Sequence, residues 1–112
     1  MIAIPSDSHY SRQPQFEAGD LVKHRRYGYR GVVVKRDEKC LADDEWYTNN
    51  QTQPDRTQPW YHVLVDGTET ATYAASENLT ADLSGQPVTH PLISRFFSAF
   101  ENGRYLPHDT VS

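Results

Sequence analysis

Cys40 is the only cysteine in these 112 residues. A single thiol closes no internal disulfide, so stability must come from packing, and no oxidising compartment is implied. Thiolate metal sites go with it. His9, His24, His62, His90 and His108 lack zinc-ligand spacing, and no metal site is expected. Long apolar runs are also missing. Val32–Val34 and Val63–Val65 are the longest aliphatic stretches, far too short to span a bilayer. Met1-Ile2-Ala3-Ile4 is cut off by Pro5, so it makes no secretory h-region. The expectation is a cytoplasmic protein with no membrane partner. Nucleotide-binding and hydrolase signatures are absent as well: no P-loop, no dinucleotide glycine fingerprint, no G-x-S-x-G elbow. Ser76 and Glu77 have no histidine that the sequence places beside them. No catalytic residue and no cofactor is expected, which leaves a recognition protein.

What is present suits one small globular domain. The length fits a single core, and 37 % hydrophobic, 12 % aromatic and 23 % charged residues argue against wholesale disorder. Charge is unevenly distributed. Residues 20–36 hold six cations and one carboxylate, a net of +5, within a chain whose total is −4. Residues 37–59 and 60–89 each carry −4. A local basic patch steers an anionic partner even on an acidic protein.

Residues 1–15 are rich in Ser, Pro and Gln and read as a tail; residues 16–112 read as one domain. Gly19-Asp20 suggests a turn, Leu21-Val22 the first strand, and Tyr27-Gly28-Tyr29 a second turn. Gly31–Lys35 contains three consecutive valines and suits a buried strand. In the polar excursion 37–59, Asp43-Asp44-Glu45 favours the start of a short helix within 43–50, anchored by Trp46 and Tyr47. Trp60–Val65 and Thr68–Ala74 flank Asp66-Gly67, which suggests a two-residue type I′ hairpin turn. Glu77-Asn78-Leu79 adds a short last strand. Four or five short strands in about sixty residues suggest a small, mainly β barrel with open edges. Further on, His90-Pro91 can open a helix over about 91–102, with Leu92, Phe96 and Phe100 four apart, Ile93 and Phe97 beside them, and Gly103 as its C-terminal cap. Phe96, Phe97 and Phe100 would pack that helix on the barrel or on another subunit, and they are the candidate protein-interaction residues.

The candidate binding segment is Lys23-His24-Arg25-Arg26-Tyr27-Gly28-Tyr29-Arg30. Lys and Arg hold phosphates, Arg also grips a guanine edge, and a tyrosine ring offers a flat face to a base or methyl group. A β-ribbon enters the major groove as readily as a helix does. The competing reading is that these cations pair with the acidic 37–59 loop. His24 and His62 can also meet across a sheet as a structural pair.

Gly19–Arg25 followed by Tyr27–Val33 resembles the opening of the YccV-like, hemimethylated-DNA-binding family, whose bacterial members are called heat shock protein HspQ. Pro59–Gly67 resembles its central block, and Thr72-Tyr73, Glu77-Asn78-Leu79 and His90-Pro91 follow in the family's order. The likeness covers about residues 16–107. It implies an SH3-like β-barrel, binding to hemimethylated DNA through Lys23, His24, Arg25, Arg26, Tyr27, Tyr29 and Arg30, and a heat-shock role in modulating an ATP-dependent protease or its clients. It also implies a homo-oligomer, with a trimer as one form. The opening pattern is shared with CarD-like and Tudor-like barrels, so a protein-interaction adaptor with no DNA role is the alternative.

Overall fold

The computed structural model describes residues 15–50 and 53–108. The expected tail, 1–15, lies outside the described residues except for Gln15. The described residues form seven strands and three short helical turns: β1 (Leu21–His24), β2 (Arg30–Asp37), α1 (Asp44–Asn49), β3 (Trp60–Val65), β4 (Ala71–Ala75), a 3-10 turn (Ser76–Asn78), β5 (Leu79–Ala81), α2 (Ile93–Phe96), β6 (Phe97–Glu101) and β7 (Arg104–Pro107). The fold is mainly β.

Five strands form one antiparallel sheet in the order β4-β3-β2-β1-β5. Its two outermost strands, β4 and β5, are joined only by the three residues of the 3-10 turn. At roughly 2 Å per residue that turn spans about 6 Å, so the sheet has to curl until its ends meet at this corner. A β2 bulge between Val33 and Lys35 adds to the bend. A meander whose last strand returns to the first is the pairing pattern of an SH3-like barrel.

Strand periodicity sorts the core into two layers. Val22, Val33, Tyr61, Val63, Ala74 and Leu79 point to the inside of the curl and pack with Phe16. The Tyr61 hydroxyl accepts from the Phe16 N–H at 2.9 Å, which ties the chain's entry into the domain to the middle of β3. Leu21, Val32 and Leu64 point to the other face and are covered by Val88, Phe97 and Tyr105. Gly31 has no room for a side chain: a Cβ would lie 2.3 Å from the Leu64 carbonyl oxygen. Trp60, Cys40 and Ala75 form a third cluster under the 40–50 excursion. There Asp43 caps α1 by accepting from the Trp46 N–H at 2.8 Å, as the run of carboxylates suggests.

The strand expected at Glu77-Asn78-Leu79 starts only at Leu79, because Ser76–Asn78 form the 3-10 turn; two larger sequence expectations fail. The helix over 91–102 is a single turn, Ile93–Phe96, and the chain then runs back on itself as the β6–β7 hairpin. Asn102 (φ 54°) and Gly103 (φ 80°) are both left-handed, as a type I′ hairpin turn requires. Gly103 is therefore a strand-reversal residue and not a helix cap. The four-residue spacing of Leu92, Phe96 and Phe100 carries no helical stripe, because a bulge between Phe97 and Ala99 resets the strand alternation. Second, Asp66-Gly67 is not a two-residue turn. Only Gly67 has positive φ, β4 starts at Ala71, and the Val65 N–H reaches the Thr70 carbonyl at 3.1 Å. The connection is the five-residue loop 66–70. Asp66 Oδ1 instead accepts from the Thr89 N–H at 2.7 Å and its Oδ2 from Arg30 at 3.1 Å, which draws the loop away from a tight turn.

Candidate nucleic-acid interface and the adjoining groove

The register of β1 and β2 divides the basic segment. Lys23 lies opposite Arg30, so these two share one face, while His24 and Tyr29 project from the other. Arg30 is fully committed. Its guanidinium bonds Asp82 at 2.8 Å, Asp66 at 3.1 Å, and the carbonyls of Gln86 (2.6 Å) and Pro87 (3.1 Å). Burial, the largest single effect on Asp82, works against its ionisation. Hydrogen bonds from Arg30 and Ser84 overcome that and hold the carboxyl below its ordinary range. The acids that satisfy Arg30 come from residues 66 and 82, not from the 37–59 loop.

His24 is also structural. It is 4 % exposed, and its Nδ1 accepts from the backbone N–H groups of Arg26 (3.1 Å) and Tyr27 (3.0 Å). An Nδ1 holding two donors cannot carry a proton. Burial, with the nearby Arg26 charge adding to it, pushes the His24 pKa below its ordinary value of 6.5. The neutral ring thus folds the turn over itself, and Gly28 at φ 78° completes the reversal. His62, by contrast, bonds Asp37 at 3.1 Å, so the two histidines do not pair with each other.

That fold pushes Lys23, Arg25, Arg26 and Tyr27 outward. All four are exposed, Tyr27 by 54 %. None of the three cations makes an ion pair among the described residues. Arg26 lies 5.8 Å from the Tyr27 ring centroid, and that ring stacks on His24 at 4.7 Å. Tyr29 is half-buried, held by its hydroxyl against Thr72 Oγ1 at 2.7 Å.

Of the phenylalanines expected to face a partner, Phe97 is buried against Tyr105 at 5.2 Å, and Phe100 packs on the same ring at 4.6 Å. Phe96 alone of the three is exposed.

A groove of about 500 Å³ runs along β4, between the β1–β2 turn and α1. Its walls include Tyr27 and Tyr29 on one side and Trp46, His62 and Tyr73 on the other. Beyond Tyr73 lies the buried Asp37 carboxylate. It accepts from the Tyr73 hydroxyl at 2.8 Å and bonds His62 Nε2 at 3.1 Å. Burial, chiefly, and the adjoining carboxylate push the Tyr73 hydroxyl up to about 12, so it remains a donor at every physiological pH. The sequence marks Trp46 as an anchor of the short helix and gives Tyr73 no place among the site residues. The available signal is a large aromatic inside a polar excursion, Trp46, and another flanked by small residues on a short strand, Tyr73.

Residues 14–104 match the family described as "Hemimethylated DNA-binding protein YccV like". The chain is also similar to F-box only protein 21 of Homo sapiens and of Pongo abelii, each 35 % identical over 111 residues, 96 % of this chain and 17 % of the relative. F-box only protein 21 of Mus musculus is 37 % identical over 97 residues, 83 % of this chain and 15 % of the relative. The chain therefore spans about a sixth of the length of these relatives.

Proposed function

The chain belongs to the YccV-like family, and on that premise we propose that it is a non-catalytic recognition domain that binds duplex DNA at hemimethylated sites through the tip of the β1–β2 ribbon. The observation that supports this most is the set of three exposed cations, Lys23, Arg25 and Arg26, that make no ion pair among the described residues, grouped with the exposed ring of Tyr27. Cations without carboxylate partners are free to replace counterions on phosphates. A hemimethylated adenine site offers a methyl group on one strand and an amino donor on the other, both in the major groove. Tyr27 supplies the apolar surface for the methyl. His24, Tyr29 and Arg30 act here as the frame that presents the tip.

Fluorescence anisotropy with unmethylated, hemimethylated and fully methylated duplexes of one sequence tests the reading. Tightest binding to the hemimethylated duplex, markedly weakened by Arg25→Ala with Arg26→Ala, is the expected result. Equal binding to all three duplexes would remove the methylation claim.

Modulation of ATP-dependent proteolysis, in the cytoplasm and by a self-associating form such as a trimer, is the second reading. The exposed Phe96 beside the C-terminal hairpin favours it as an apolar contact. Reconstituted degradation of a denatured client, unchanged on adding this protein, would eliminate it.

A further inference from the structure

β4 is an outermost strand of the sheet and, among the described residues, pairs only with β3. Two bonds at its ends set its phase. The Val65 N–H donates to the Thr70 carbonyl at 3.1 Å, and the Ser76 N–H donates to the Pro59 carbonyl at 2.9 Å. In an antiparallel ladder the inward groups alternate, so Thr72 and Ala74 bond β3 while Ala71, Tyr73 and Ala75 turn their N–H and C=O outward. The close approach of the His62 and Tyr73 rings, 4.5 Å, is that of a directly opposite pair without ladder bonds, as this phase requires. Ala75 is buried beneath Trp60 and Cys40. Ala71 and Tyr73 are not, and among the described residues their outward backbone groups have no partner. An unpaired ladder edge is a template for another strand.

This edge forms the floor of the 500 Å³ groove. The two faces of β4 lead to different walls. Thr72 lies with Tyr29 and, beyond it, Tyr27. Tyr73 lies with Trp46, 5.6 Å between ring centroids, and with His62. Behind the second wall carboxylates outnumber cations: Asp37 is bonded to Tyr73 and His62 and lies 3.8 Å from Lys35, and Asp43, Asp44 and Glu45 immediately precede Trp46, with Asp44 3.5 Å from Arg56. Phosphates are repelled there, whereas a lysine or arginine is favoured both by the carboxylates and by the Trp46 and Tyr73 rings. A backbone that can extend the ladder, and that places alternate side chains on two aromatic walls, one of them backed by carboxylates, belongs to a polypeptide.

We propose that the β4 edge is a docking site for an extended peptide segment of another protein, with apolar side chains against Tyr27 and Tyr29 alternating with basic side chains against Trp46 and Tyr73. The site borders the proposed DNA contact at the Tyr27 ring, which both would touch, but it is argued from the β4 edge and does not rest on the DNA reading.

The test uses the full chain, labelled with ¹⁵N, and two capped heptapeptides, one alternating leucine and lysine, the other alternating leucine and glutamate. The leucine–lysine peptide is expected to shift the Ala71 and Tyr73 amides and slow their hydrogen exchange. The leucine–glutamate peptide is expected to bind at least about tenfold more weakly, as is the leucine–lysine peptide to Ala71→Pro, which removes one outward donor and leaves the β3 ladder intact. Should Ala71→Pro unfold, Trp46→Ala decides in its place, with the same loss expected. A folded Ala71→Pro or Trp46→Ala that binds the peptide undiminished overturns the proposal, as does failure of the leucine–lysine peptide to perturb Ala71 and Tyr73. Three other results also overturn it. Shifts at Ala71 and Tyr73 produced by a hemimethylated duplex would give the groove to nucleic acid. Peptide-free protection that grows with protein concentration would give it to a second copy. Peptide-free protection that disappears on deleting residues 1–14 would give it to the chain's own N-terminal segment.

Discussion

Arg26 and Arg30 stand four residues apart in one basic run, yet they do opposite work. Arg30 sits in a socket made by Asp66, Asp82 and the backbone of residues 86–87. It fastens the segment after β5 to the β1–β2 ribbon. Arg26 stands at the ribbon tip with an exposed tyrosine and no carboxylate partner among the described residues. The difference arises from register. Position 30 is on the face that the chain later returns to cover, whereas position 26 is in the exposed reversal, where among the described residues its charge meets the Tyr27 ring and no carboxylate. A count of positive charges along a sequence therefore overstates a binding surface, because part of the charge is consumed by the fold that displays the rest.

The sharpest way to break this contrast is Arg30→Ala. It strands two acids, one of them, Asp82, largely buried, and is expected to lower stability by about 2 kcal/mol in urea unfolding. Arg30→Lys should recover only part of the loss, since an ammonium cannot reproduce a guanidinium fork that meets two carboxylates and two carbonyls. If Arg30→Ala unfolded like the parent and lost DNA binding instead, the roles assigned to the two arginines would be exchanged.

Next in size is a pH effect from His24. Its folded-state pKa lies below the unfolded value of 6.5, so the unfolded chain takes up the proton first. This contribution to stability is complete above pH 6.5 and is lost as pH falls from there through the lower folded value. The urea midpoint of the parent should drop on going from about pH 7.5 to about pH 5. His24→Gln should show a smaller drop, although it starts from a lower midpoint because it loses the two backbone bonds that Nδ1 accepts.

The smallest stability effect belongs to the tip. Arg25→Ala with Arg26→Ala should change unfolding free energy by less than about 0.5 kcal/mol. The same pair should reduce the log–log salt slope of duplex binding by about 1.8, the share of two phosphate contacts. A large loss of stability in this variant would mean that the tip, too, is fastened down.

How much of this was legible beforehand depends on the signal. The strands were readable where β-branched residues run together, as at Val32–Val34, or where a short apolar run is bounded by turn residues, as at Trp60–Val65 between Pro59 and Asp66-Gly67. The short helix α1 was readable from its carboxylates, and Asp43 caps it as such residues do. The two X-Gly turns were read the wrong way round. Asp66-Gly67 looked like a tight hairpin turn, but the Asp66 carboxylate is drawn to Arg30 and to the Thr89 N–H, contacts made across 36 and 23 residues. No local pattern reports such partners. Asn102-Gly103 is the stronger type I′ signal, and it was masked by a four-residue phenylalanine spacing that happens to fit a helix. At the site, residue types could be read but not their division between faces, because the division follows from the pairing of Lys23 with Arg30. The groove along β4 was not legible, since its walls come from four separated segments.

The most direct test of the central claim is the salt dependence of binding to a hemimethylated duplex. With Lys23, Arg25 and Arg26 on phosphates and Arg30 held in its socket, the log–log slope should be about −2.7. It should be unchanged in any Arg30 variant that remains folded. A slope near zero, or one that falls by a full phosphate when Arg30 is replaced, would contradict the account.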